Sequence, residues 1–130
     1  MAPSHDLTEL QIAIMRLLWS RREATVAEVW EALYPERGLA QTTIATLLTR
    51  LERRGVVARR VDQRQYVYRP LVTESEVQQS MVGELTERLF SGDVTALVSH
   101  LLTSQDVAPG DLARLRELVD AASRQAGEDA

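Results

Sequence analysis

Residues 41–70, QTTIATLLTRLERRGVVARRVDQRQYVYRP, decide the fold of this chain. In the first half, Ile44, Leu47, Leu48 and Leu51 recur at helical spacing, burying one stripe and leaving Thr42, Thr43, Thr46, Arg50 and Arg53 on another. Gly55 stands where a left-handed residue ends a helix, and Arg53 and Arg54 occupy the last turn, where positive charge suits the carbonyl end of the dipole. Residues 56–61 and 65–69 are rich in β-branched and aromatic side chains around the turn-prone Asp62-Gln63-Arg64, which predicts a two-stranded hairpin. A polar-faced helix followed by an arginine-laden hairpin is the order of a helix that reads DNA followed by a wing.

Upstream, Thr8-Glu9-Leu10-Gln11 matches a capping box and predicts a first helix over residues 8–20. Leu10, Ile14, Leu17 and Leu18 form its apolar stripe, widened by Ile12, Met15 and Trp19. Thr25 and Glu28 form a second box, opening a helix through Val26, Val29, Trp30 and Leu33 that Pro35 is expected to close. Residues 24–26 offer a short strand for the wing sheet, and Pro35-Glu36-Arg37-Gly38 reads as a turn. Three helices and a hairpin make residues 1–70 a winged helix-turn-helix domain.

Downstream, Thr73 with Glu76 offers a third capping box, after which Val77, Met81, Leu85 and Leu89 recur every four residues. Ser91-Gly92-Asp93 breaks that helix. A further one carries Val94, Leu97, Val98, Leu101 and Leu102, and a last one starts near Pro109 with Leu112, Leu115, Leu118 and Val119. Residues 71–126 therefore form a helical region with little mass around its apolar faces, and residues 127–130 are expected to fray. Such a trio is expected to bury its stripe against a second copy, with Val77, Met81, Leu85, Leu89, Leu97, Leu101, Leu115 and Leu118 at the dimer interface. Folding back onto the winged domain is the alternative. The expected class is mainly α with a small β-hairpin wing: an N-terminal winged helix-turn-helix and a C-terminal helical dimerisation region.

With 130 residues at 45% hydrophobic composition, the chain holds one real core, or one small core plus a dimer interface. Net charge is −4, but residues 1–70 carry 11 Arg against 8 acids, whereas residues 71–130 carry 4 Arg against 11 acids. Within residues 37–69, 8 Arg face only Glu52 and Asp62, a local +6. All 15 basic residues are arginine, whose planar fork suits phosphate and guanine edges. The absence of cysteine excludes disulfides, thiolate catalysis and Cys-ligated metals. His5, expected in a mobile tail, and His100 lie far apart, a poor basis for a metal or catalytic site. No nucleophile-base pair, supported carboxylate dyad or phosphate-cradling glycine loop is present, so neither enzyme activity nor a cofactor is expected. No apolar run approaches the roughly 20 residues that span a bilayer, and MAPSHDLTEL lacks a signal pattern; the expected location is the cytoplasm, with no membrane partner.

Each candidate has a plainer reading beside it. The threonine face of residues 42, 43 and 46 is either a solvated surface or a DNA contact, and the adjoining wing and basic charge favour DNA. Arg53, Arg59, Arg60 and Arg64 suit phosphate, fixing register without reading sequence, while Arg59, Arg60 and Arg64 also suit a solvated hairpin guarding an edge strand. Tyr66 and Tyr68 are favoured as sheet-to-helix packing over base stacking, and Trp19 and Trp30 as core. His100, among leucines, reads as a hydrogen-bonded interface residue before a pH sensor.

The chain resembles the BlaI/MecI family of bacterial repressors, to which the CopY-type copper repressors are similar. The matching residues are Leu7-Thr8-Glu9-Leu10 with Leu18-Trp19, Ala24-Thr25-Val26 with Glu28-Val29, Thr42-Thr43-Ile44 through Leu47-Leu48-Thr49-Arg50-Leu51, Gly55, and Tyr66-Val67-Tyr68-Arg69-Pro70. Residues 7–70 match closely; from Thr73 to about Val119 the likeness is looser, resting on Ser91-Gly92 and Asp106-Val107. The resemblance implies a homodimeric winged-helix repressor on a palindrome of TACA and TGTA half-sites, dimerised by its C-terminal helices. It implies operator contacts from Thr42, Thr43, Thr46 and Arg50, with Arg64 at the wing tip. Threonine methyls and hydroxyls suit thymine methyls and base edges, and Arg50 a phosphate or guanine.

Two departures narrow the expectation. CopY-type repressors end in a cysteine-containing metal motif, and here no cysteine exists, which excludes copper sensing. Where a sensor protease cuts an Asn-Phe bond in the resistance repressors, the aligned pair is His100-Leu101, so cleavage of the same specificity does not carry over to that implied partner. The alternatives to an operator-binding repressor are a winged-helix protein-interaction module without DNA, and a small-molecule-gated regulator.

Overall fold

Two reciprocal caps start the first two helices of the computed structural model, which describes residues 5–129. The Thr8 hydroxyl accepts from the Gln11 N–H at 3.2 Å while the Gln11 side chain accepts from the Thr8 N–H at 3.0 Å, opening α1 (Glu9–Arg21). Thr25 and Glu28 repeat the exchange at 3.2 and 3.0 Å for α2 (Val26–Arg37). Thr25 also ends the two-residue strand β1 (Ala24–Thr25), so the chain passes from sheet into helix without a linker.

Helix α2 does not stop at Pro35 as expected; it runs through it to Arg37 and ends at Gly38, whose φ of 59° is left-handed. Proline here removes only a bond to the carbonyl of Glu31, an exposed residue. The Gly38 N–H donates to the Tyr34 carbonyl at 2.8 Å and closes the last turn. After two residues comes α3 (Gln41–Arg53). It ends in a Schellman pair: Gly55, at φ 76°, donates to Glu52 at 3.0 Å, and Val56 donates to Leu51 at 3.0 Å.

The chain then forms the hairpin of β2 (Val57–Asp62) and β3 (Gln65–Pro70), and β1 adds to it in the antiparallel order β1-β3-β2. Ala24 lies opposite Tyr68, and Arg59 lies opposite Tyr68 from the other side. Ile14, Met15 and Leu18 of α1, Val29 of α2, Ile44, Leu48 and Leu51 of α3, and Val56, Val57 and Tyr68 form one core. Trp19 and Trp30, expected in the core, are half-buried against it and act as clasps: their indole N–H groups donate at 2.8 Å to the carbonyls of Val72 and Leu39.

Helices α4 (Glu74–Phe90), α5 (Val94–Ser104) and α6 (Pro109–Asp129) follow. The Thr73 hydroxyl accepts from the Glu76 N–H at 3.0 Å, Ser91 and Gly92 break the chain at φ 51° and 79°, and Asp93 caps α5 through the Ala96 N–H at 3.1 Å. Residues 127–129, expected to fray, continue α6; residue 130 lies outside the described residues.

The chain divides into two compact units, Met1–Leu85 and Thr86–Ala130. Within the first, Val77 is 4% exposed and belongs to the core, and Met81 packs against it. His5, expected in a mobile tail, is tied to the same unit, its backbone N–H donating to Ser80 Oγ at 3.0 Å. Between α1 and the start of α4 an apolar groove of about 240 Å³ is lined by Ile12, Trp19, Val77 and Met81, with Arg16 and Glu74 among its polar residues. Among the described residues no helix is long and apolar enough to cross a membrane.

Candidate nucleic-acid interface

Helix α3 is fastened by Ile44, Leu48 and Leu51, each at most 1% exposed, so its opposite face cannot turn inward. That face carries Thr42, Thr43, Thr46, Arg50 and Arg53, all exposed. Thr46 donates its hydroxyl to the Thr42 carbonyl at 3.0 Å, which leaves its methyl and oxygen lone pairs outward. Arg50, Arg53 and Arg64 have no acidic partner among the described ion pairs. On the helix and wing face their forks are free of ion pairs among the described residues.

The hairpin ends in a two-residue turn at Gln63 and Arg64, with φ of 49° and 67°. Both values positive define a type I′ turn, the geometry that matches strand twist, here built without glycine or asparagine. Arg64 therefore projects from the tip of a tightly closed wing.

Arg59 and Arg60, expected to bind phosphate alike, are held differently. Arg59 Nε lies 3.0 Å from Glu52 Oε2 on α3, and its guanidinium sits 4.2 Å from the Tyr66 ring centroid. Hydrogen bonding with Tyr68, and then the Glu52 charge, raise its pKa further above the ordinary arginine value. Arg60 is bidentate on Glu23, one arm at 3.1 Å, with Asp62 Oδ2 3.9 Å away. That bond, opposed by desolvation, holds the Glu23 carboxyl below its usual range. Glu23 lies 37 residues before Arg60, and nothing in local spacing announces the pair.

Tyr68 packs in the core as expected, at 2% exposed, but Tyr66 is 46% exposed. The two share a strand face, yet Tyr66 lies toward the wing tip, where its ring meets Arg59 instead of the helices. In the second unit, Leu85's successors Leu89, Leu101, Leu115 and Leu118 are exposed, and Leu97 is half-buried; Leu85 itself is exposed in the first unit. His100 touches the Phe90 ring edge-on at 5.7 Å between centroids, and Leu101 beside it is exposed. No cluster of His, Asp or Glu among the described residues has the makings of a metal site.

A recognition-type helix, the third of a three-helix core, followed by a projecting hairpin that β1 extends to a three-stranded sheet defines a winged helix-turn-helix protein. A family model described as the penicillinase repressor matches residues 7–121. The chain belongs to that family, the BlaI/MecI repressors, and is a transcriptional repressor rather than an enzyme. The transcriptional regulator BlaI of Mycobacterium tuberculosis is 38% identical over 104 residues, 78% of this chain and 75% of its own. The methicillin resistance regulatory protein MecI of Mammaliicoccus sciuri is 22% identical over 117 residues, 90% of this chain and 95% of its own. The solution structure of the DNA-binding domain of the repressor BlaI aligns with a TM-score of 0.52 at 25% identity, covering 58% of this chain and 93% of that domain.

Proposed function

We propose that this DNA-binding repressor acts as a homodimer in the cytoplasm, reading a palindromic operator of TACA and TGTA half-sites with α3 and fastening each half-site with the wing. One observation carries the reading: the exposed Thr42, Thr43, Thr46 and Arg50 face lies on a helix whose other side is locked into the core. Threonine methyls fit thymine, and an unpaired Arg50 suits guanine or phosphate. Arg53 and Arg64 supply phosphate contacts that set register. The second copy is supported by the exposed leucines of the C-terminal helices: Leu85 and Leu89 on α4, Leu101 on α5, and Leu115 and Leu118 on α6. Met81, packed against the core of the first unit, and Leu97 in the second are each half-buried, whereas Val77 belongs to the core and has almost no surface left for a partner. With His100-Leu101 in place of the relatives' cut bond, any inducing protease has a different specificity.

Fluorescence anisotropy comparing a TACA/TGTA palindrome with a scrambled duplex across a salt series tests this. A strong preference for the palindrome, with affinity falling steeply as salt rises, is expected. Equal weak binding to both duplexes refutes the operator, and no binding at low salt leaves a protein-interaction module.

A further inference from the structure

We propose that Tyr66 is a positioning residue which, with Glu52, holds the Arg59 guanidinium ready for a DNA phosphate, while the adjacent Arg60 is an internal brace that does not touch the duplex. The assignment rests on the DNA reading above and divides two arginines that the sequence treats alike.

Adjacent strand residues point to opposite faces of a sheet. One face of the hairpin carries the pairs Val57 with Pro70, Arg59 with Tyr68, and Val61 with Tyr66. The other carries Ala58 with Arg69, Arg60 with Val67, and Asp62 with Gln65. Tyr68 lies in the core and Glu52 of α3 meets Arg59, so the first face is the one that continues from α3. The second is turned toward Glu23, ahead of β1.

The partners differ as much as the faces. On Arg59, Glu52 takes the Nε edge, and the guanidinium carbon lies over the Tyr66 ring, 4.2 Å from its centroid. A guanidinium has five N–H donors, so even with Tyr68 hydrogen-bonded to it, donors remain for an anion. Glu52 is the sole acid of an α3 segment that also carries Arg50 and Arg53, so this end of the surface stays net positive. A ring beneath the guanidinium removes rotamer freedom before DNA arrives, which lowers the ordering cost of the contact.

Arg60 has neither advantage. Both arms of its fork lie on Glu23, and Asp62 Oδ2 stands 3.9 Å from one of them, so the cation has two carboxylates beside it. An exposed ion pair is a weak lock by itself. The bidentate geometry decides the outcome: a phosphate reaching Arg60 must displace a carboxylate that already takes both arms of the fork, in a group of two arginines and two acids, Arg60 and Arg69 with Glu23 and Asp62, that has no net positive charge to offer it. What Arg60 does instead is tie the wing strand β2 to the start of β1.

The test is the salt dependence of full-length protein on the palindromic duplex, for wild type, Arg59→Ala, Arg60→Ala, Tyr66→Ala and Tyr66→Phe, with thermal melts confirming that each is folded. Arg59→Ala is expected to make the slope of log K against log salt shallower by about one per bound protomer. Arg60→Ala is expected to leave the slope unchanged. Tyr66→Ala should weaken binding about two- to fivefold, the scale of an exposed cation-ring contact, and Tyr66→Phe should restore it. Equal slopes for the two arginine variants overturn the division, and a Tyr66→Phe protein as weak as Tyr66→Ala overturns the role of the ring. Wild-type protein that binds no duplex at low salt overturns the DNA reading itself, and this assignment with it.

Discussion

The units Met1–Leu85 and Thr86–Ala130 are built from helices of the same amphipathic pattern, yet they treat their apolar side chains in opposite ways. In the first, Ile14, Met15, Leu18, Val29, Leu48 and Leu51 are completely withdrawn from water. In the second, Leu89 is 71% exposed, Leu118 65% and Leu101 45%. The first unit has a sheet and crossing helices to cover the inner stripes of α1, α2 and α3, whereas the second has two helices and the end of a third. Regular patterning makes a helix; a core requires a second surface, and here a second copy of the chain is the surface proposed.

The comparison breaks most visibly on truncation. A chain ending at residue 85 keeps the core, including Val77 and the Trp19 clasp to Val72, and is expected to fold as a monomer. Losing the second binding arm should weaken palindrome affinity by about a hundred- to ten-thousandfold, measured by anisotropy beside sedimentation. A truncated chain that sediments as a dimer removes the role given to the second unit.

Point substitutions sharpen the same contrast through protein concentration. Leu48→Ala empties a fully enclosed site and should cost about 2–5 kcal/mol in denaturant melts, the same at any concentration. Leu118→Ala strips an exposed position of the monomer and should lower stability only through the dimer, so its effect depends on dilution. If both respond alike to dilution, the units are not built as described.

Much of the first unit is legible in the sequence because its signals are local. Thr8 with Gln11, Thr25 with Glu28, and Gly55 after Arg53 each announce a boundary within four residues, and all three appear in the structure. Pro35 misleads because a proline near a helix end removes one bond at a solvent-facing turn, and Gly38 is a stronger stop. The pairing of Arg60 with Glu23 is not legible, since it depends on β1 joining β3 far along the chain. Tyr66 follows the alternation of Tyr68 but outruns the helices that would have covered it. Val77 falls on a periodic stripe whose other members are more exposed, and periodicity cannot tell which turn of α4 meets the core.

Sequence reading should reside entirely in the first unit. Arg50→Ala is expected to cost about 1–3 kcal/mol per half-site on the palindrome if Arg50 makes a bidentate base contact. The per-site loss should be the same in the chain ending at residue 85. Equal loss on operator and scrambled duplex reassigns Arg50 to phosphate, and a loss confined to full-length protein means that the second unit helps to place α3.

The smallest effect lies at the wing tip, where a well-packed unit keeps two residues in a costly conformation. Gln63 and Arg64 both have left-handed φ, a region that penalises side chains with a Cβ and that type I′ turns normally fill with Asn-Gly. Replacing them together, Gln63→Asn with Arg64→Gly, should raise stability by about 0.5–1 kcal/mol, read as a higher melting temperature. The same double variant loses the Arg64 cation and should bind the duplex more weakly, with a shallower salt slope. Gln63→Asn alone relieves part of the strain and keeps the arginine, so it should gain stability without losing affinity. If the double variant gains stability and binds undiminished, Arg64 makes no contact, and the strained tip has no function to set against its cost.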